Sequence, residues 1–229
     1  MARSALVTGA SSGIGLAVAR MLHDEGYGLT LASRTPEKLN AAAAEVGAQP
    51  VVANVAKEKD CDRLVAAHGE RFGGLDVLVN SAGVGVGGRI EELVTKHVDL
   101  QLDVNLRGLI LVTRAAIPLL RASRGLVVNV ASIAGTIPAP GLSIYAAAKA
   151  GVISFTRSLN AELEGDGVRA TAICPGFVDT PMSAWSGIPG EEMIQPEDCA
   201  EIVRALLRLS PYARIPTAVI ERLGSGTNY

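Results

Sequence analysis

Aromatic side chains are scarce in this chain: one Trp, three Phe and four Tyr are 3% of its 229 residues, although 48% of the residues are hydrophobic. A core with so few rings must be built from Ala, Val, Leu and Ile. That suits a parallel sheet, whose strands are buried on both faces and read as aliphatic runs. An excess of one charge sign is also missing, since 21 basic and 23 acidic residues leave a formal net charge of −2. The balance argues against a general nucleic-acid binder, which needs a basic face, but not against binding one small phosphate group. No apolar run reaches the ~18 residues of a membrane span, so no membrane association is expected. Cysteine is limited to Cys61, Cys174 and Cys199, with no C-x-x-C pair and no His at ligand spacing beside them. No metal site is therefore expected, and the thiols read as small residues of a reduced, cytoplasmic protein. With a glycine-rich segment beginning at Thr8, no signal peptide is expected.

What is present is alternation. Short strands are expected at residues 5–7, 29–32, 51–53, 76–80, 126–131 and 168–174, separated by helical patterns at 14–25, from Pro36 onward, 58–72, 91–102, 105–121 and 143–164. Strands alternating with helices of crossover length predict right-handed βαβ units: an α/β fold, doubly wound, with helices on both faces of a parallel sheet. A last helix at 196–209 and a strand at 215–222, held to an edge by Pro216, complete a single domain over residues 1–229.

The first strand runs into Thr8-Gly9-Ala10-Ser11-Ser12-Gly13-Ile14-Gly15 and then a helix. Glycines there permit a tight turn and let backbone N–H groups approach a pyrophosphate at the positive helix end. At the end of the second strand, where NAD binders place an acid for the ribose 2′-hydroxyl, the chain reads Ala32-Ser33-Arg34. A guanidinium fork suits a 2′-phosphate, so NADP(H) is expected in preference to NAD(H), with Ser33 as a second contact. Farther on, Tyr145 and Lys149 stand four apart, on one face of a helix. A phenol is a poor base at neutral pH; an ammonium nearby lowers its pKa and lets it exchange a proton with an alcohol or carbonyl oxygen. Ser132, just after the fifth strand, is placed to hydrogen-bond that oxygen.

With these motifs in order, the chain over residues 4–182 resembles the short-chain dehydrogenase/reductase family, in its compact single-domain form. The matching residues are Thr8–Gly15, Asn80-Ser81-Ala82-Gly83, Asn105, Ser132, Tyr145-x-x-x-Lys149, and Pro175-Gly176 with Thr180. The resemblance implies Tyr145 as general acid/base, Lys149 as the group that lowers its pKa and binds the nicotinamide ribose, and Ser132 as the polariser of the substrate oxygen. It implies that Asn105 holds a water of a proton relay and that Asn80, Ala82 and Gly83 line the cofactor near the adenine ribose. Pro175, Gly176, Val178 and Thr180 would enclose the nicotinamide and its phosphate. Three departures stand out: Asn54-Val55 replaces the usual Asp-Val in the adenine site, Ser81 replaces the second Asn, and the C-terminal part lacks the usual glycine-rich ending.

The expected pocket rim comprises residues 133–142, 84–88 and a short lid around 181–195, with Ile137, Pro138, Leu142, Met182 and Trp185 and few charges beyond Glu191 and Glu192. That rim fits a small neutral or apolar carbonyl or alcohol substrate. Reduction of a 3-oxoacyl thioester is the alternative within the family. A lyase or epimerase on the same fold is disfavoured by length, and a nucleotide sensor by the presence of both Tyr145 and Lys149. Apolar residues on several faces of helices 105–121 and 143–164 are more than one sheet contact covers, and the resemblance implies a homodimer or homotetramer.

Overall fold

Strand and helix alternate along the chain as the aliphatic runs predict. The elements are β1 (Ser4–Thr8), α1 (Gly13–Asp24), β2 (Gly28–Ser33), α2 (Pro36–Glu45), β3 (Gln49–Val52), α3 (Glu58–Phe72), β4 (Val77–Asn80), α4 (Thr95–Leu102), α5 (Leu109–Ser123), β5 (Leu126–Val130), α6 (Ser143–Glu162), β6 (Arg169–Pro175), α7 (Pro196–Leu207) and β7 (Thr217–Ile220). They are taken from a computed structural model that describes residues 3–224; residues 1–2 and 225–229 of the expected 1–229 unit lie outside the described residues. The seven strands form one parallel sheet in the order β3-β2-β1-β4-β5-β6-β7.

Side-chain parity along each strand divides the core in two, because successive residues point to opposite faces. Ala5, Val7, Val77, Val79, Leu126 and Val128 join a cluster with α1, α2 and α7. Leu6, Leu78 and Val127 join the other, beneath α3 and α5. Strand order reverses between β1 and β4, so the loops leaving their carboxyl ends diverge and open a crevice. Most candidate site residues sit on that edge, in the loops above it or on the first turn of α1; Tyr145 and Lys149 come from α6.

Two expectations are corrected. Helices 91–102 and 105–121 are not separate: Ile90–Glu92 is an isolated 3₁₀ turn, and α4 continues into α5 through a π-helical turn, Asp103–Gly108. An Asn inside a helix weakens it when its amide bonds its own backbone. Asn105 instead bonds the backbone of Val84, so the helix passes through it. The last strand is also shorter than residues 215–222. Pro216 lies just before it, where its carbonyl still accepts from the Ala172 N–H at 3.0 Å. The strand does occupy the sheet edge.

All three cysteines are buried free thiols. Burial pushes Cys61 and Cys174 up to about 11 and Cys199 up to about 12, so none is a ready nucleophile. Among the described residues no helix is long and apolar enough to cross a membrane.

Candidate active site

Ser12 stands at the N-cap of α1 in extended conformation, yet its hydroxyl caps nothing and the first turn has no acidic residue. The amides of that turn, at the positive end of the helix, are therefore left for an external acceptor. Gly9, Ser11, Ser12, Gly13 and Ile14 line a cleft of about 650 Å³ that runs along the carboxyl edge of the sheet. Toward β2 and β3 its walls are Ser33, Arg34, Asn54 and Val55; over β4 they are Ala82 and Gly83. Toward β5 and β6 they are Ser132, Tyr145, Lys149, Pro175, Gly176, Val178 and Thr180. Arg34 is exposed and makes no ion pair among the described residues. The Asn54 side-chain amide oxygen, Oδ1, is held by the Ala56 N–H at 3.1 Å in a local turn.

Four expected site residues do not line this cleft. Thr8 is buried, and its hydroxyl accepts from the N–H groups of Ser81 (3.2 Å) and Ala82 (3.3 Å), clamping the β1 loop to the β4 loop. Gly15 is buried in α1 against Gly9. Asn80 points into the sheet-helix layer, where it donates to Thr113 and Asn129, and Asn129 donates to Thr156. Its parity matches Leu78, the face covered by α5. Asn105 is also buried; its amide accepts from Val84 N–H at 2.9 Å and donates to Val84 O at 2.8 Å. Its side chain is a clamp on the loop after β4. Gln101, which the sequence reading overlooked, adds a second clamp by accepting from Val86 N–H at 3.1 Å.

Ser132, Tyr145 and Lys149 do converge. Ser132 caps a short turn, its hydroxyl accepting from Ala134 N–H at 3.2 Å, and it also hydrogen-bonds the Tyr145 phenol. Lys149 is 4% exposed, with its ammonium 5.5 Å from the Tyr145 ring centroid. That ammonium donates to Val130 O at 2.7 Å. Burial holds the phenol above its ordinary value, and the hydrogen bond with Ser132 offsets this only in part. The expectation of a phenol lowered by Lys149 is thus reversed: desolvation dominates, and Tyr145 is protonated at neutral pH.

Burial pushes Lys149 down to about 8, from an ordinary 10.5. Between those values the unfolded chain binds a proton that the folded chain does not, so this residue makes stability rise with pH across that window. Below about pH 8 the charged amine is buried at full cost. Relative to Lys149→Met, the parent is expected to gain about 3 kcal/mol between pH 8 and 10.5, measured by urea unfolding at each pH. Parallel pH dependences in the two proteins would refute the buried, depressed amine.

A second cavity, of about 740 Å³, opens beside the cleft. As the sequence predicts, Gly85, Gly87, Gly88, Ile137, Pro138, Leu142, Met182 and Trp185 line it; Glu191 and Glu192 do not. Phe177 and Arg222 line it as well, and neither was expected. Phe177 packs edge-on to Trp185, ring centroids 6.0 Å apart. At the base of the 181–195 segment, Asp179 N–H bonds Ile194 O and Ile194 N–H bonds Phe177 O.

A doubly wound sheet with a glycine turn after β1 and a Ser-Tyr-Lys group above β5 defines an α/β dehydrogenase. The short chain dehydrogenase family model matches residues 3–187. An uncharacterized oxidoreductase of Staphylococcus aureus (strain MRSA252) is 38% identical over 203 residues, 87% of this chain and 88% of the relative. An alcohol dehydrogenase from the archaeon Thermococcus sibiricus, complexed with 5-hydroxy-NADP, superposes with a TM-score of 0.92 at 31% identity over 99% of both chains. Actinorhodin polyketide ketoreductase with NADPH gives 0.88 at 32% identity, over 96% of this chain and 95% of that one. The chain belongs to the short-chain dehydrogenase family and is an oxidoreductase.

Proposed function

We propose that the protein interconverts a ketone and a secondary alcohol by hydride transfer with NADP(H), Tyr145 exchanging the proton. One observation carries this reading: Ser132 and Tyr145 line both the cleft and the second cavity, so their hydroxyls stand where the two spaces meet. A cofactor in one and a substrate in the other would bring their reacting carbons together there. The uncapped amides of α1 fit a pyrophosphate, and Arg34 with Ser33 at the end of β2 fits a 2′-phosphate. Two structural neighbours bound to NADP-type cofactors support the same choice.

Bound NADPH would supply the hydride to the carbonyl carbon. The C=O π pair moves to oxygen, which Ser132 hydrogen-bonds and to which Tyr145 gives its proton; solvent then restores the phenol. Lys149 stabilises the phenolate formed in that step, its cation 5.5 Å from the ring centroid. The reverse sequence oxidises the alcohol. NADPH oxidation with a panel of ketones tests the reading.

Cofactor choice is checked separately. Arg34→Ala is expected to weaken NADPH binding about 10–100-fold, the worth of one or two charge-assisted hydrogen bonds, and to leave NADH binding nearly unchanged. Fluorescence titration of both nucleotides reads this. Equal or tighter binding of NADH by the parent would overturn the NADP(H) assignment.

A further inference from the structure

Among the described residues that line the second cavity, Arg222 is the only one with a charged side chain. It follows β7, whose end is tied to the site by the bond from Gly176 N–H to Ile220 O at 2.8 Å. The Arg222 side chain is 21% exposed, and its Nε–H is buried with no hydrogen-bond partner among the described residues. The carboxylate that pairs with it among the described residues is Glu192, 61% exposed and 3.9 Å from Nη1, beyond hydrogen-bond distance. Ile133, Ile137, Pro138, Leu142 and Phe177, which share the cavity, offer no side-chain acceptor. A guanidinium fork that lines a cavity and has no hydrogen-bonded acceptor among the described residues is matched by one ligand group above others, a carboxylate bound through two parallel N–H···O bonds.

We propose that Arg222 sets substrate specificity and that the substrate is an oxo acid or the corresponding hydroxy acid. The carbonyl or carbinol carbon lies at Ser132 and Tyr145, the carboxylate on Arg222, and the aliphatic segment between them along the apolar wall. This assignment rests on the ketone–alcohol reading above and amends the neutral substrate expected from sequence. Glu192, mostly in water, is a weak competitor for the guanidinium.

Trp185 is the chain's one tryptophan and lines the cavity, so it reports binding without turnover. With NADP+ present, hexanoate is expected to saturate the Trp185 signal at a concentration about tenfold lower than hexanamide, as one charge-assisted hydrogen bond implies. Equal affinities of the parent for the two overturn the proposal, whether or not any variant folds. In turnover, 4-oxopentanoate is expected to exceed its methyl ester in kcat/KM by a similar factor, carried by KM. Arg222→Gln should bring that ratio near one, and Arg222→Lys should fall between, keeping the charge without the fork. A ratio unchanged in Arg222→Gln overturns the proposal. Hexanoate binding that depends on Arg222, in a parent that reduces no ketone, supports the anion subsite and defeats only the ketone–alcohol reading.

Discussion

Replacing Tyr145 by Phe is expected to lower kcat/KM for ketone reduction by about a thousandfold, within the range for a positioned general acid. The ring stays on α6 and the packing is kept; only the hydroxyl is lost. Ser132 retains its bond from Ala134 N–H, so it can still meet the substrate oxygen. Proton delivery is what disappears, because a Ser hydroxyl bonded into a turn has no acidity near that of a phenol. NADPH affinity should change little, since the cleft keeps its amides, Arg34 and Lys149. A stopped-flow trace of NADPH oxidation, beside an equilibrium titration of NADPH, separates the two effects. Loss of less than about tenfold in kcat/KM would be too small for an essential proton donor and would remove Tyr145 from the chemistry.

The elevated phenol sharpens what this variant tests. A Tyr145 held above its ordinary value by burial is the protonated partner, ready to give a proton to a ketone oxygen. Oxidation of an alcohol needs the opposite form, and there the Lys149 cation is the stabilising charge. With Lys149 lowered to about 8, that charge is present at neutral pH and fades as pH rises beyond it.

What the sequence made legible was set by short-range geometry. Two residues one helical turn apart share a face whatever the rest of the chain does, so Tyr145 and Lys149 were found together. The glycine turn after β1 was legible because it marks a strand-to-helix passage between an aliphatic run and an amphipathic one. Parity also places Asn80, which shares the buried face of Leu78 and bonds Thr113 and Asn129 there. Other features were decided at long range. Lys149 reaches Val130 O because β5 ends beside α6, a packing fact with no local signature. Arg222 enters the cavity only because β7 pairs with β6 at the sheet edge, and nothing near residue 222 in sequence announces it. Helices 91–102 and 105–121 read as separate because the partner that satisfies Asn105, Val84, lies on another segment.

Gly9→Ala is expected to be the most damaging small change in the scaffold. Gly9 has φ +66°, and a Cβ built there would lie 2.7 Å from Ala82 N and 2.8 Å from Ala82 Cα and Ser81 C. These are backbone atoms of the β4 loop, which Thr8 ties to the β1 loop, so no flexible side chain can yield. Left-handed backbone costs a non-glycine residue about 1–2 kcal/mol, and forcing packed segments apart costs about 1–3 more. A total of about 2–5 kcal/mol corresponds to a Tm lower by about 4–20 °C in a chain of this size. The same displacement moves the α1 amides and Gly15, where a Cβ would meet Gly9 O at 2.5 Å, so NADPH affinity is expected to fall about tenfold or more. Gly165→Ala, where a Cβ meets nothing within 4 Å, is the control and should stay within about 0.5 kcal/mol of the parent. Calorimetry of the three proteins decides the matter: a Gly9→Ala protein that melts with the parent would mean that the two loops can separate freely. The crevice at the strand reversal would then owe its shape to something other than this backbone contact.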